Sequence, residues 1–434
     1  MSHVRLSASP GESLLDDRVR LLLEGAAPAS AVRLRCRLHD EKGTDWVSEG
    51  EFLADEAGGV DPAECPSISG TYEGLDPEGL FWSMVPDKPA PGRGKFSLHD
   101  VSPLVIDVEA FGPEGFLGRT NFVRKVAADG LLREDVREGE LVGTLFLPPG
   151  PGPFPGVVDI VHSGGGLRNE PFAALLASRG YAVMALATFG IPPLSRGLVE
   201  IPVERLERAL EFLSSHPFVD AGRLGLTGTS KGAELALLGA SMFERVKAVV
   251  AFMPSCVLWS GVGRGFERRP SWTWRGVPLP FISPKYERLA PRSQGPLRLE
   301  PMYREALEAI DPGHPARIPL ERSRAAILLL SPGDDAVMPA ELMGRQLEER
   351  LARSSFRGFF RHVVYPGAGH MIGSDLLPGL PTSIRNTFHP LARFPIAYGG
   401  TAPSTAAASR LSWEEMLRFL GDHLRRGALT AKGL

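Results

Sequence analysis

The chain has 434 residues, enough for two or three domains of the usual ~100–200 residues, each with a core of its own. Its 48 basic and 51 acidic residues leave a net charge of -3, which excludes a global field that would draw nucleic acid or an anionic membrane. Three cysteines, Cys36, Cys65 and Cys256, are odd in number, far apart and without a CxxC pair, which argues against zinc and for buried, reduced thiols.

The N-terminus MSHVRLSASPGESLLDDRVR lacks the apolar core of a signal peptide. The longest apolar run, VKAVVAFMPSCVLW, is too short to span a bilayer, so a cytoplasmic protein is expected. From Leu14 to Arg124 the apolar residues come in short runs. VRLRCRLHDEKG, WVSEGEFLADEAGG, GLFWSMVPD and LVIDVEAFG each read as an alternating strand closed by a turn, at the spacing of an all-β sandwich. No segment here has helix-length periodicity.

Beyond VREGELVGTLFLPPGPGPFPG the period changes. VVDIV is a continuous apolar strand running into a glycine loop, FAALLASRG a helix, and YAVMALA a buried strand. PVERLERALEFLSSHP carries apolar residues at Val203, Leu206, Leu210 and Leu213, a helical spacing, and RLGLTG returns to strand. Strand and helix alternate on through VKAVVAF, AAILLLS, AELMGRQLEERLARS and RHVVYPG, which predicts a mostly parallel sheet with helices on both faces. The tail holds the low-complexity tract TAPSTAAASR and then an amphipathic helix, WEEMLRFLGDHL.

Between Pro254 and Ala325 the alternation is interrupted. A structureless loop of that length does not suit a compact domain, so residues 256–322 are expected to form a cap. Its Trp259, Trp272, Trp274, Phe281 and Tyr286 either line an apolar pocket or pack the cap onto the sheet.

The stretch LGLTGTSKGAE puts Ser230 between glycines where a strand turns into a helix. A turn that exposes a serine hydroxyl there is cramped, and Gly228 and Gly232 leave the room, as in the nucleophile elbow of an α/β-hydrolase. GxSxG alone is a common string that also fits a plain surface turn. The strand RLGLT before it and the helix KGAELALLGASMF after it favour a nucleophile. Such a serine needs a histidine base with an acid behind it, in the chain order Ser, Asp, His. LLLSPGDDAVMP sets Asp334 and Asp335 past the end of a buried strand, and VVYPGAGH sets His370 in the loop after the next strand. Asp335 is the expected acid, with Asp334 capping or stabilising the loop. His362, inside a strand, and His389, in a Pro-flanked loop, read as structural.

The expected oxyanion donors are the backbone N–H of Lys231 and those of Gly165 and Gly166 in VHSGGGLRN, with His162 and Ser163 ending the strand. No GxGxxG or GxxxxGK[ST] accompanies that triple glycine, so no nucleotide site is expected there, and the chemistry calls for no metal or redox cofactor. The Lys231 side chain is expected to pair with Glu234 on the helix surface.

With these segments in hand the chain resembles the family that joins type I acyl-CoA thioesterases to bile acid-CoA:amino acid N-acyltransferases. The likeness covers nearly the whole chain. It is carried by RLRCRLHDEKG, GLDPEGLFWSMVPDKP, REGELVGTLFLPPGPGPFPGVVDI, GGGL, GYAVMALA, GLTGTSKGAELAL, IPLERSRAAILLLSPGDD, YPGAGH and PIAYGGT. The resemblance implies an N-terminal immunoglobulin-like sandwich, residues 1–130, on an α/β-hydrolase domain, residues 131–434, with a cap at about 256–322. It implies cleavage of acyl-CoA or another acyl thioester, with Ser230 as nucleophile, Asp335 as acid and His370 as base. The family's conjugating acyltransferases carry cysteine at the nucleophile, so serine here implies water as the acceptor. Two segments depart from the family pattern: TFGIPPLSR, where tyrosines and an acidic stretch are usual, and a cap rich in arginine, proline and tryptophan. Arg264, Arg268 and Arg269 are either contacts for a CoA phosphate or solvated surface. A carboxylester hydrolase, an acyl-CoA-dependent acyltransferase with the same triad, and a non-catalytic binding protein on the hydrolase fold are the rival functions.

Overall fold

The computed structural model describes residues 4–88, 94–263, 266–286, 296–383 and 395–425. Two compact units divide the chain: Met1–Ala128 with Leu377–Thr387, and Asp129–Leu376 with Phe388–Leu434.

The first unit is mostly strand. One sheet runs in the order Glu12–Leu14, Gly115–Lys125, Leu104–Gly112, Ala31–His39, Asp45–Leu53, Ser69–Gly70, with Val85–Pro86 also paired to Asp45–Leu53. A two-stranded pair, Arg5–Ser9 with Arg20–Glu24, stands beside it in the same unit. Buried and exposed residues alternate along Ala31–His39 and Leu104–Gly112, the mark of antiparallel strands with one covered face. The stretch GLFWSMVPD, which alternates like a strand, instead begins with a helical turn at Gly79–Trp82. Asp76 is the reason: its Oδ1 accepts the Glu78 N–H at 2.8 Å, and its Oδ2 accepts the Trp82 indole N–H at 2.8 Å. These side-chain bonds brace the turn against the weak alternation.

The second unit is built on eight strands: β1 Leu132–Glu138, β2 Leu141–Leu147, β3 Phe154–Ile160, β4 Ala182–Ala187, β5 Val219–Thr229, β6 Val246–Phe252, β7 Ala326–Pro332 and β8 Phe360–Tyr365. Their order across the sheet is β1-β2-β4-β3-β5-β6-β7-β8. β1 and β2 form an antiparallel hairpin, β2 pairs antiparallel with β4, and every pairing from β4 to β8 is parallel. β4 and β7 are buried along their whole length, as strands covered on both faces must be.

Among the described residues six α-helices accompany them: α1 Glu170–Ser178, α2 Glu204–Ser215, α3 Lys231–Met242, α4 Glu300–Glu308, α5 Ala340–Arg353 and α6 Ala402–Leu420. Neighbouring β5 side chains serve opposite faces. Leu226 meets α3 at Gly239, whereas Thr227 donates to Asp159, which is bonded to Asn169 at the start of α1. Phe172 of α1 meets Trp413 of α6 edge to face at 5.3 Å. The expected apolar positions of α2, Val203, Leu206, Leu210 and Leu213, are all fully buried. The low-complexity tract TAPSTAAASR forms the start of α6. Thr401 caps α6 by accepting the Ser404 N–H, and the alanines that follow are strong helix formers. Among the described residues no helix is long and apolar enough to cross a membrane.

Candidate active site

Ser230 stands between the last residue of β5 and the first of α3, with φ +55° and ψ -113°. A side chain at positive φ is strained by roughly 1–3 kcal/mol, which the surroundings must hold in place. The close packing explains the flanking glycines. A Cβ on Gly228 would lie 2.4 Å from the Gly232 carbonyl oxygen, and one on Gly232 would lie 2.2 Å from the carbonyl oxygen of Ile160. The elbow is therefore pressed against the end of β3. Ser230 is buried, and its hydroxyl makes one hydrogen-bond contact among the described residues, to Met338 Sδ at 3.9 Å.

Asp335 follows β7 and His370 follows β8, and the structure brings the two together: His370 Nδ1 lies 2.7 Å from Asp335 Oδ2, both side chains buried. The other carboxylate oxygen, Oδ1, accepts the backbone N–H groups of Val337 (2.8 Å) and Met338 (3.1 Å), which fixes the plane of the carboxylate. Asp334 points elsewhere, accepting the Gly400 N–H at 3.0 Å and facing the exposed Arg298 at 3.4 Å. His362 is buried against α5, its Nε2 2.8 Å from Ser331 Oγ, and burial pushes its pKa down. His389 lies outside the described residues.

Three supports of this site had no signal in local sequence. Tyr398 offers its carbonyl to the N–H of His370 (2.8 Å) and of Ala336 (3.3 Å), so the tail segment PIAYGGT braces the acid and histidine loops at once. Gly399 is required there, because a Cβ would fall 1.9 Å from the Asp334 carbonyl oxygen. Ser374, just past the histidine, donates its backbone N–H (3.2 Å) and its hydroxyl (2.9 Å) to Thr229 Oγ1, tying the histidine loop to the strand that carries the serine.

The loop after β3 departs from expectation. The Gly165 N–H is bonded to the His162 carbonyl (3.1 Å) and the Gly166 N–H to the Phe189 carbonyl (2.8 Å), so the two glycines expected to donate to an oxyanion already have acceptors within the protein. Gly164 N–H is likewise held by His162 Nδ1 at 2.9 Å. Ser163 N–H makes no hydrogen bond among the described residues. Lys231 N–H, at the first position of α3, has no acceptor within its helix.

Beneath this loop sits Asp159, fully buried, accepting from Thr227 Oγ1 (2.7 Å) and Asn169 Nδ2 (2.8 Å). Burial pushes its carboxyl up to about 7, the two hydrogen bonds pulling the other way. In the unfolded chain the group ionises near 3.8, so the folded state holds the extra proton between the two values. Stability therefore falls as pH rises through that window and stays lowered above it. Asp159→Asn is expected to flatten the dependence and to melt several degrees above the wild type at pH 8. Melting curves from pH 5 to 8 check this, and a wild-type midpoint that does not move over that range would refute it.

The Lys231 side chain does pair with Glu234, but not on the helix surface. Nζ donates to both carboxylate oxygens, at 2.8 and 2.9 Å, and the pair is buried, Lys231 at 7% and Glu234 at 1% exposure. The cover is the insertion between β6 and β7. Glu234 Oε1 accepts the Trp272 indole N–H (2.7 Å) and the Trp259 backbone N–H (3.2 Å), and Lys231 Nζ reaches the Trp259 carbonyl at 3.3 Å. Trp259 and Trp272 are thus packing residues. Trp274 is half-buried under Arg275, Phe281 is half-buried, and Tyr286 is bonded through its hydroxyl to Tyr303 at 3.0 Å. Arg268 and Arg269 are exposed, Arg269 paired with Glu200 at 2.5 Å, and Arg264 lies outside the described residues.

Beside the acid is a cavity of about 290 Å3 lined by Asp335 and Met338, with Glu300 and Arg304 from α4 and Glu341 and Arg345 from α5. Met338, which touches Ser230, forms part of its wall.

This sheet order, with a strained serine on the turn after β5 and an acid and a histidine after β7 and β8, defines an α/β-hydrolase. The model described as BAAT / acyl-CoA thioester hydrolase C terminal matches residues 201–426, and that described as acyl-CoA thioester hydrolase/BAAT N-terminal region matches residues 16–138. The chain belongs to the acyl-CoA thioester hydrolase/BAAT family. It is 33% identical over 429 residues to human acyl-coenzyme A thioesterase 1, spanning 97% of both chains. To mouse acyl-coenzyme A amino acid N-acyltransferase 1 it is 31% identical over 436 residues, 97% of this chain and 98% of that one. Among solved structures, a bacterial heroin esterase aligns at 17% identity over 68% of this chain and 86% of its own, with a TM-score of 0.39, a likeness too slight to bear on function.

Proposed function

We propose that the protein is an acyl-CoA thioesterase that works through Ser230, His370 and Asp335. Ser230 attacks the thioester carbonyl while His370 Nε2 takes its proton, and Asp335 holds the imidazole with its Nδ1–H turned away from the serine. Backbone N–H groups of Lys231 and, in place of the engaged glycines, Ser163 receive the oxyanion. His370 gives the proton to the departing thiolate sulfur, which leaves as the free thiol. Water, deprotonated by the same histidine, then attacks the acyl-enzyme, and His370 passes that proton to the departing Ser230 Oγ as the free acid is released.

The observation that carries this reading is the serine held at φ +55° on the elbow, in a chain one-third identical from end to end to a thioesterase. The contact of its hydroxyl with Met338 belongs to the resting site, where catalytic hydrogen bonds are often long. In the same proposal the strand-rich first unit is an immunoglobulin-like sandwich, residues 1–130, and the insertion at about 256–322 is a cap on the hydrolase domain, residues 131–434. Three free thiols, two of them buried, suit a reducing compartment, in our reading the cytoplasm.

Release of free thiol from short, medium, long and branched acyl-CoAs, run beside simple esters, tests the assignment. Turnover of CoA esters well above simple esters is expected. Turnover of simple esters alone would overturn the thioester reading. An amide product that forms only when an amino acid acceptor is added would make the protein an acyltransferase, the activity named for its mouse relative.

A further inference from the structure

We infer that the buried Lys231–Glu234 pair is a positioning device that fastens the insertion to the nucleophile elbow and thereby fixes the Lys231 backbone N–H at the oxyanion. The inference rests on Ser230 being the nucleophile.

The pair sits in the first turn of α3, one residue after Ser230, where any shift of the helix start moves the serine and the Lys231 N–H together. Its reach extends well beyond that turn. Trp259 and Trp272, from two separate segments of the insertion, both bond to Glu234 Oε1, and the Lys231 ammonium lies 5.5 Å over the Trp272 ring. Ser271 Oγ donates to the same Trp259 carbonyl that Lys231 reaches, at 2.8 Å, so the two segments close on each other around the pair. Each is fastened further out: Trp259 stacks edge-on against Tyr303 of α4 at 4.6 Å, and Trp272 pairs in parallel with Ile201 ahead of α2. The Glu234 carboxylate is thus the shared acceptor through which the insertion grips the elbow.

Stability alone does not account for such a pair. Burial works against the charged form of both partners, pushing the Lys231 pKa down and the Glu234 pKa up while their attraction opposes it. A well-packed apolar replacement of a buried ion pair is often as stable or more so. What an apolar pair lacks is direction: it cannot hold Trp272 Nε1, Trp259 N–H and the Trp259 carbonyl at fixed points around the first turn of α3.

The test compares Lys231→Met/Glu234→Leu, Glu234→Gln and Trp272→Phe with the wild type. Two rates are read, thiol release from acyl-CoA and labelling of Ser230 by a fluorophosphonate, which needs the nucleophile and oxyanion donors but no CoA site. The double variant, which leaves the buried Trp272 indole N–H and Trp259 N–H without their acceptor, is expected to melt a few degrees below the wild type and to lose ~100-fold in kcat and in labelling rate with KM within about twofold, the scale of a small misplacement of reacting groups. Glu234→Gln, which leaves a buried ammonium without its counter-charge, should lose melting temperature as well as rate. Trp272→Phe keeps both charges and removes one bond, so it should fold and label about tenfold more slowly.

A double variant that folds and labels at the wild-type rate overturns the inference. If it does not fold, Trp272→Phe decides in the same way. A wild type that labels at Ser230 but releases no thiol sinks the thioester reading and leaves the clamp to be judged on labelling. A wild type that neither labels nor turns over sinks both.

Discussion

Ser230→Ala is expected to lower thiol release by about 10⁶-fold while leaving the protein folded. The size follows from what is lost: without the hydroxyl no acyl-enzyme forms, and a water molecule has neither its placement on the elbow nor its path of proton transfer to His370. The fold should hardly notice. Alanine at φ +55° carries much the same backbone strain as serine, and the one side-chain bond removed is a long contact with a thioether, 3.9 Å to Met338 Sδ. Substrate binding should survive, because the N–H groups of Lys231 and Ser163 remain. The measurement is kcat for thiol release from purified protein, with a melting curve beside it. Retention of as much as one-tenth of the wild-type rate would remove Ser230 from the chemistry, and with it the mechanism proposed above.

What could be read from sequence was what is decided locally. The alternation of apolar runs and helical spacings located the strands and helices of the second unit, because each element buries its own face and carries that period in its own residues. The elbow was legible in part for the same reason: the crowding that demands Gly228 comes from Gly232 in the same turn, although that at Gly232 comes from Ile160 on β3. Where the bonds of one side chain decide the local state, the alternation of the chain misleads. GLFWSMVPD alternates like a strand, yet a helical turn braced by Asp76 opens it.

What depends on partners far along the chain was not readable at all. A Lys–Glu pair at i,i+3 has the same spelling in solvent as under two tryptophans, and it is the insertion, not α3, that makes it buried. Gly166 of VHSGGGLRN reads as a free donor because nothing near it shows that the Phe189 carbonyl, beyond the next strand, takes its N–H, whereas Gly165 turns back on the His162 carbonyl within the loop itself. The tail PIAYGGT likewise carried a family likeness without a role. Its role lies in the Tyr398 carbonyl, which meets both the Ala336 and His370 N–H groups only once the sheet has formed.

Asp335→Asn is expected to cut kcat by about 10⁴-fold with KM little changed, the cost of holding a catalytic imidazole in the wrong tautomer. The hydrogen bonds around the carboxylate say why the effect should be so large. Oδ1 is committed to the N–H groups of Val337 and Met338, and an asparagine would keep its carbonyl oxygen there, since only an oxygen can accept from both. Its amide nitrogen must then face His370 Nδ1 at the position of Oδ2, 2.7 Å away in the wild type. Both groups cannot donate across that gap, so the imidazole gives up its Nδ1 proton and carries it on Nε2. An imidazole protonated at Nε2 cannot take a proton from Ser230. Because the amide replaces the carboxylate without loss of volume or of the Oδ1 bonds, the melting temperature should move far less than the rate. Asp334→Asn is the matched control: that side chain accepts from Gly400 and faces an exposed arginine, and its loss should cost less than tenfold. Equal losses at the two positions would mean that the loop, not the Asp335–His370 bond, was being measured. A large loss at Asp334 with none at Asp335 would hand the acid's role to the neighbour.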